Sequence, residues 1–383
     1  MTISFFSNFL NSHQLPFCEA LIRKVGEGNF RFVASTKMDD DRVQMGWENM
    51  NETKPFVVRA YKGGDALAEA NRLAKESDVA IFGSASYPFQ TLRLTENKLS
   101  FRYNERIFKT GIIRVLDPRI QKTYRAIFTQ YRKKELYVLC ASAYTKNDLK
   151  WVGFPSAKCY KWGYFPEMKH NLSYDLLAAK KSGSKCQCVS ILWAGRLIGW
   201  KHPEVAISIA KHLKKTGRDF SMTIIGDGPL RTKLEQKVVS NGLSESVKML
   251  GAQSHETVLE EMEKTDIFLF TSDRNEGWGA VLNEAMNAGC AVVADRNIGS
   301  VPFLLKDGVN GLIYNTGSLK QINEAIDRLI EDESFRTSLG ATAWDTINNV
   351  WNIENATKRF FELIDSLKNK QVPIISSGPC SKA

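Results

Sequence analysis

The chain has 383 residues, 43% hydrophobic and 25% charged, and a formal net charge of +10. That is long for a single core, so two domains of ordinary size are expected, and the even composition excludes a low-complexity or fibrous chain. No run approaches the roughly 18 apolar residues of a membrane span, and the opening MTISFF lacks the basic start and cleavage site of a secretory signal, so a cytoplasmic protein is expected.

The first half alternates short β-like runs with helical patterns, which predicts a parallel sheet with helices on both faces. Ile3 to Ser7 reads as the first strand and Gln14 to Val25 as the helix after it, with Gly26 ending that helix. Further strands fall at Asn29 to Ser35, Phe56 to Ala60, Val79 to Gly83 and Leu136 to Ser142. Between the last two, Arg119 to Lys134 reads as one long basic helix, with Ile120, Tyr124, Ile127, Phe128 and Tyr131 at helical spacing. Asp39-Asp40-Asp41 suits helix capping better than metal binding. His13 and Gln14 follow the first strand, where open α/β sheets place ligands, and Ser84 follows a later one. Arg102, Glu105 and Arg106 form a polar cluster that suits either an acceptor contact or a surface salt-bridge group.

Charge is unevenly placed. Residues 1 to 170 hold 27 Lys and Arg against 17 Asp and Glu, a net of +10, while the remainder holds 25 of each. Nearly all of the excess lies after residue 86, and a basic surface suits an anionic partner such as a phospholipid face, a lipid diphosphate or a nucleic acid. The seven cysteines are scattered through apolar runs without metal-site spacing, which reads as buried or incidental thiols. A loose polar stretch, 171 to 187, is the expected linker between domains at 1 to 170 and 188 to 354. Beyond these come a helix at 355 to 370, expected to return toward the first domain, and a tail, 371 to 383, expected to be disordered.

Strands in the second half are predicted at Cys188 to Ala194, Phe220 to Ile225, Val247 to Leu250, Ile267 to Phe270 and Ala291 to Ala294, with a hairpin-like piece at Gly308 to Tyr314. Pro229 is placed at the first position of a helix. Four of these strand ends carry special residues: Arg196 with Lys201, Gly226 with Gly228, Gly251, and the turn from Glu276. In a parallel sheet such ends share one edge, so these residues converge. A guanidinium and an ammonium in one loop can hold a diphosphate. Gly277 and Gly279 allow close backbone approach beside Trp278, and the helix start at Ala280 and Val281 offers N–H groups to an anion. Glu276 and Glu284 can accept hydrogen bonds from the hydroxyls of a polyol and a ribose. Together these features spell sugar, diphosphate and nucleoside.

EGWGAVLNEAMNAGCAVV resembles the segment with two glutamates seven residues apart in the retaining family 4 glycosyltransferases, and GRLIGWK, IIGDGP and DGVNGLIY resemble that family's other markers in the same order. The resemblance implies a GT-B fold, an α/β architecture of two Rossmann-like doubly wound domains facing across a cleft. It further implies transfer of a sugar with retention from a nucleoside diphosphate sugar, UDP being preferred, in bacterial capsule or cell-surface polysaccharide synthesis. Arg196 and Lys201 would hold the diphosphate; Glu276, with the backbone of Gly277 to Gly279, would bind the donor sugar; Glu284 would bind the ribose. Neither a metal nor another cofactor is implied. The expected partners are the nucleotide sugar, a glycan or lipid-diphosphate-linked acceptor bound by the first domain and an anionic inner membrane face, with no nucleic acid. A nucleotide-sugar epimerase of the same architecture and a non-catalytic nucleotide-sugar-binding subunit remain as alternatives. The chain departs from the family at SNFLNSHQ, which lacks a glycine pair; at Ser84 and Ser86, where a histidine is common; and at Phe303, which replaces a glutamate.

Overall fold

The computed structural model describes residues 1–38, 48–166, 173–182 and 188–383; the Asp39 to Asp41 run lies outside them. The chain divides into one compact unit of Met1–Pro166 with Asn352–Ala383 and a second of Glu167–Trp351.

The first unit holds seven parallel strands: β1 (Ile3–Ser7), β2 (Phe30–Ala34), β3 (Val57–Arg59), β4 (Val79–Phe82), β5 (Ser100–Asn104), β6 (Leu136–Cys140) and β7 (Cys159–Lys161), in the spatial order β3-β2-β1-β4-β5-β6-β7. The chain steps outward from β1 to β3 and then returns to the far side of β1, so the strand order reverses between β1 and β4. β1 and β4 are buried along their whole length, as expected of central strands covered on both faces. At their ends the two strands nearly touch: a Cβ on Gly83 would lie 2.7 Å from the Ser7 hydroxyl.

The second unit holds β8 (Val189–Ala194), β9 (Phe220–Ile225), β10 (Val247–Gly251), β11 (Ile267–Phe270), β12 (Ala291–Asp295) and β13 (Leu312–Tyr314), in the order β10-β9-β8-β11-β12-β13. All pairings are parallel, and here the order reverses between β8 and β11. Both units are therefore doubly wound α/β sheets, each with a crevice at the carboxyl ends of two named strands.

Several expectations are corrected. The long basic helix stops at Ile127, because Phe128 (φ −124°, ψ −60°) turns its fully buried ring into the core against Phe154, and a short 3₁₀ turn, Thr129–Tyr131, follows. Where the sequence shows a polar cluster from Arg102, Ser100–Asn104 is a strand between β4 and β6, with Ser100, Phe101 and Arg102 buried. Residues 312–314 pair in parallel with β12 and form no hairpin. Pro229 lies ahead of its helix, which runs Arg231–Ser240. Within the expected linker, Tyr174–Ser182 is a helix packed on the second unit: Leu177 is fully buried and the Tyr174 hydroxyl donates to the Thr337 carbonyl.

The tail also differs from expectation. Cys380 N–H donates to the Lys161 carbonyl at 2.7 Å, Lys161 N–H to the Ser381 carbonyl at 2.8 Å and Ala383 N–H to the Cys159 carbonyl at 3.1 Å. The tail thus satisfies the outer edge of β7, whose backbone groups would otherwise face solvent. The preceding helix, Ile353–Lys368, belongs to the first unit through Phe360, whose ring lies 4.9 Å from Phe101, 5.5 Å from Phe17 and 5.8 Å from Trp162. Five cysteines, at 18, 140, 159, 290 and 380, are buried thiols.

Candidate functional site

The β8/β11 crevice gathers most of the residues expected to act. Backbone bonds knit its floor: Gly195 N–H donates to the Ile225 carbonyl at 3.0 Å, Leu197 N–H to the Asp227 carbonyl at 2.8 Å and Leu230 N–H to the Leu197 carbonyl at 3.1 Å. This close approach requires the glycines. Gly226 has φ +135°, and a Cβ there would lie 1.8 Å from the Gly195 oxygen; one on Gly228, at φ +154°, would lie 2.6 Å from the Leu197 oxygen. Gly251 closes the row at the end of β10, its carbonyl accepting from Gly226 N–H at 2.8 Å.

Across the crevice, the loop after β8 is tied to the turn after β11. The Thr271 hydroxyl donates to the Lys201 carbonyl at 2.7 Å and itself accepts from the Trp193 indole at 2.8 Å. Asp273 N–H donates to the Trp200 carbonyl at 3.0 Å, while the Asp273 carboxylate accepts from Asn275 N–H at 2.8 Å and meets His202 Nε2 at 3.3 Å. These bonds bring Lys201 Nζ into an ion pair with Glu276, and both side chains are largely buried. Lys201 also lies 4.8 Å from the Trp200 ring centroid; the exposed Arg196 guanidinium lies 6.0 Å from it. One cation and one carboxylate from two loops therefore pair at the switch point, with Arg196 on the same loop as Lys201 and beside the same Trp200 ring.

Behind Glu276 the chain makes a tight corner. Gly279 has φ +85°, and any Cβ would run into the Phe270 ring at 2.4 Å. The helix Val281–Asn287 follows, with Ala280 as its N-cap. The Trp278 ring is buried: its indole N–H donates to Asn283 at 2.9 Å, and it packs with Phe303 and Trp351. Phe303, standing where a glutamate is usual, thus belongs to an aromatic cluster beneath the turn.

Glu284, on that helix, faces His255 Nε2 at 3.1 Å. The Glu284 hydrogen bond raises the His255 pKa above its usual 6.5 against the opposing effect of partial burial. His255 was missed by sequence reasoning, as were Thr271 and Asp273. The signal for the histidine was present: it opens the helix His255–Glu263 four residues beyond Gly251, an already recognised strand end.

In the first unit, His13, Gln14 and Ser84 stand at the β1/β4 switch point. His13 and Gln14 N–H groups both donate to the Asn11 side chain, the His13 ring stacks on Tyr164 at 5.3 Å, and the Gln14 amide donates to the Ser7 hydroxyl at 3.2 Å. Ser84 is exposed. Glu105 joins this group, accepting from the Tyr164 hydroxyl at 2.5 Å and from Lys109 at 2.8 Å. His13 and Gln14 line a small pocket with Tyr103 and Trp162.

The two arginines of the expected cluster each lie against aromatic rings. Arg102 is buried between the Tyr87 and Phe128 rings and donates to Gln90 at 2.7 Å; burial pushes its pKa down to about 10. Arg106 is 8% exposed, 4.3 Å from the Tyr144 ring centroid and 4.0 Å from Asp148. Both side chains brace the β5 region.

Residues 179–345 match the family model described as glycosyl transferases group 1. The matched span contains the whole β8/β11 site. Among relatives, an uncharacterized glycosyltransferase of Methanocaldococcus jannaschii is 34% identical over 149 residues, 39% of this chain and 40% of that protein. The amylovoran biosynthesis glycosyltransferase AmsK of Erwinia amylovora is 28% identical over 254 residues, 64% of this chain and 59% of that protein. The chain thus spans between 40% and 59% of these relatives' lengths. The crystal structure of Anabaena Alr3699/HepE in complex with UDP superposes with a TM-score of 0.70 at 16% identity, covering 96% of this chain and 100% of that one. The fold is GT-B, two Rossmann-like domains.

Proposed function

We propose that this chain is a retaining family 4 glycosyltransferase that moves a sugar from a nucleoside diphosphate sugar to a glycan or lipid-linked acceptor in cell-surface polysaccharide synthesis. The carrying observation is the Lys201–Glu276 pair at the switch point of a doubly wound sheet, with Arg196 on the same loop, inside the span matched by the glycosyl transferase family. UDP is the proposed nucleotide, a reading supported by the UDP and UDP-glucose complexes of Anabaena Alr3699/HepE, which shares the fold. AmsK, by its name, acts in the synthesis of amylovoran, which supports the polysaccharide assignment.

In this reading Arg196 and Lys201 hold the donor diphosphate, the N–H groups at Ala280 and Val281 add to that cradle, and Glu284 accepts from the ribose hydroxyls. Glu276 turns from Lys201 toward the donor sugar hydroxyls. As the bond from the anomeric carbon to the diphosphate breaks, negative charge grows on the leaving group, and preorganised cations stabilise it most at that moment. The acceptor oxygen bonds to the anomeric carbon on the same face, and its proton passes to a departing phosphate oxygen. His13, Gln14, Ser84 and Glu105 are proposed acceptor contacts of the first unit.

Charge stabilisation by side chains assigns no step to a metal or other cofactor. A chelator is expected to leave transfer unchanged; loss restored by a divalent cation would overturn this point. The test of the whole reading is mass-spectrometric detection of sugar transfer and donor hydrolysis. Glu276→Ala is expected to lower both by on the order of 100-fold or more, and undiminished turnover would sink the assignment.

A further inference from the structure

The basic excess of the first unit is concentrated around one turn and one helix. Residues 109 to 134 hold eight Lys and Arg against Asp117 alone. Within this segment the 3₁₀ turn Ile112–Leu116 leads through Asp117, whose carboxylate caps the next helix by accepting from Arg119 N–H at 2.9 Å, into Pro118–Ile127. That helix turns Ile127 into the core and leaves Arg119, Lys122 and Arg125 exposed.

The turn itself does the opposite of what a solvated loop does. Ile113 is 79% exposed and Leu116 77%, with Ile112 at 41% beside them. Single exposed aliphatics are ordinary on protein surfaces. Three within five residues, next to a row of cations, form an apolar tip framed by positive charge. No helix among the described residues is long and apolar enough to cross a membrane, so any attachment through this tip is to the surface of a bilayer.

We infer that the 112–116 turn and the Pro118–Ile127 helix form a docking face for a bilayer carrying anionic headgroups. Ile113 and Leu116 enter the boundary between headgroups and acyl chains, and Arg114, Arg119, Lys122 and Arg125 lie against the lipid phosphates. The combination selects the partner. A polyanion such as nucleic acid would be served by the cations but would leave the aliphatic tip in water, whereas a lipid surface satisfies both. The inference goes beyond donor chemistry and uses none of its residues.

The test is co-sedimentation of the full chain with phosphatidylcholine vesicles with and without phosphatidylglycerol, at low and high salt. The wild type is expected to bind the anionic vesicles, more tightly at low salt. Charge reversal by Arg119→Glu, Lys122→Glu and Arg125→Glu is expected to weaken low-salt binding by on the order of 100-fold. Ile113→Ser with Leu116→Ser is expected to weaken it by about tenfold while leaving the salt dependence in place. Ile113→Phe with Leu116→Phe is expected to strengthen binding to anionic vesicles while the protein stays in the supernatant without vesicles and keeps its wild-type unfolding transition; binding no stronger than that of the wild type would count against the tip.

Failure of the wild type to sediment with anionic vesicles at low salt would overturn the inference, as would serine variants that bind like the wild type. A change of mass in solution on serine substitution, without vesicle binding, would assign the tip to a second copy of the chain and overturn it equally. Nucleotide binding, measured separately, is expected to be the same in all these proteins, so loss of the membrane face and loss of the donor reading give different results.

Discussion

Two carboxylates at the β8/β11 crevice already have basic partners: Glu276 pairs with Lys201, and Glu284 hydrogen-bonds His255. A donor must compete with or rearrange both pairs. For His255 the sign can be worked out. Its folded pKa is raised above 6.5, so the pair stabilises the fold fully below that value, and the contribution is lost as pH rises through the raised folded value. If the ribose takes Glu284 from the imidazolium, binding releases a proton, and nucleotide affinity is expected to rise with pH from below 6.5 through the raised value and then level off. Calorimetry in buffers of different ionisation enthalpy measures that release, and His255→Ala is expected to abolish it. An identical proton count in the variant would contradict the displacement. Lys201→Ala is expected to lower turnover by on the order of 100-fold, more than it weakens nucleotide binding, because the developing charge is greatest in the transition state. Steady-state kinetics alongside binding measurements separate the two effects.

At the scale of elements, the crevice floor depends on loops packed more closely than side chains allow. Gly226→Ala would place a methyl 1.8 Å from the Gly195 oxygen on a backbone of φ +135°. The expected cost is about 3 kcal/mol or more, seen in denaturant unfolding; a stability like that of the wild type would show that the two loops are not in contact. These turns were legible in the chain because glycine at a strand end has a physical reason to be there. The same logic reached Arg196, Lys201, Glu276 and Glu284 and then stopped short of His255, whose place depends on how the His255–Glu263 helix lies against its neighbour. In the first unit the signals were weaker. β5 alternates polar and apolar residues, and its Arg102 suggested a surface although two aromatic rings enclose it. The end of the basic helix at Ile127 was invisible to periodicity, because Phe128 and Tyr131 keep helical spacing while the core draws Phe128 inward.

For the whole molecule, the two-unit division was readable from the strand-helix rhythm, but the final residues were not: a short stretch with two prolines, a glycine and three serines suggested disorder, and the open edge of β7 gives its last residues a place. Removing residues 371–383 is expected to lower the melting temperature by roughly 5 °C through the first unit, leaving nucleotide binding intact; an unchanged melting curve would mean that the edge pairing contributes nothing. The central claim concerns the second unit, where Arg196, Lys201 and Glu284 are proposed to hold a nucleoside diphosphate. Titration calorimetry of UDP, GDP and ADP into the full chain tests it most directly. One of them, UDP in this account, is expected to bind at one site, with Arg196→Ala and Glu284→Ala each weakening it about tenfold or more. Absence of binding by all three, or variants that bind as the wild type does, would contradict the account.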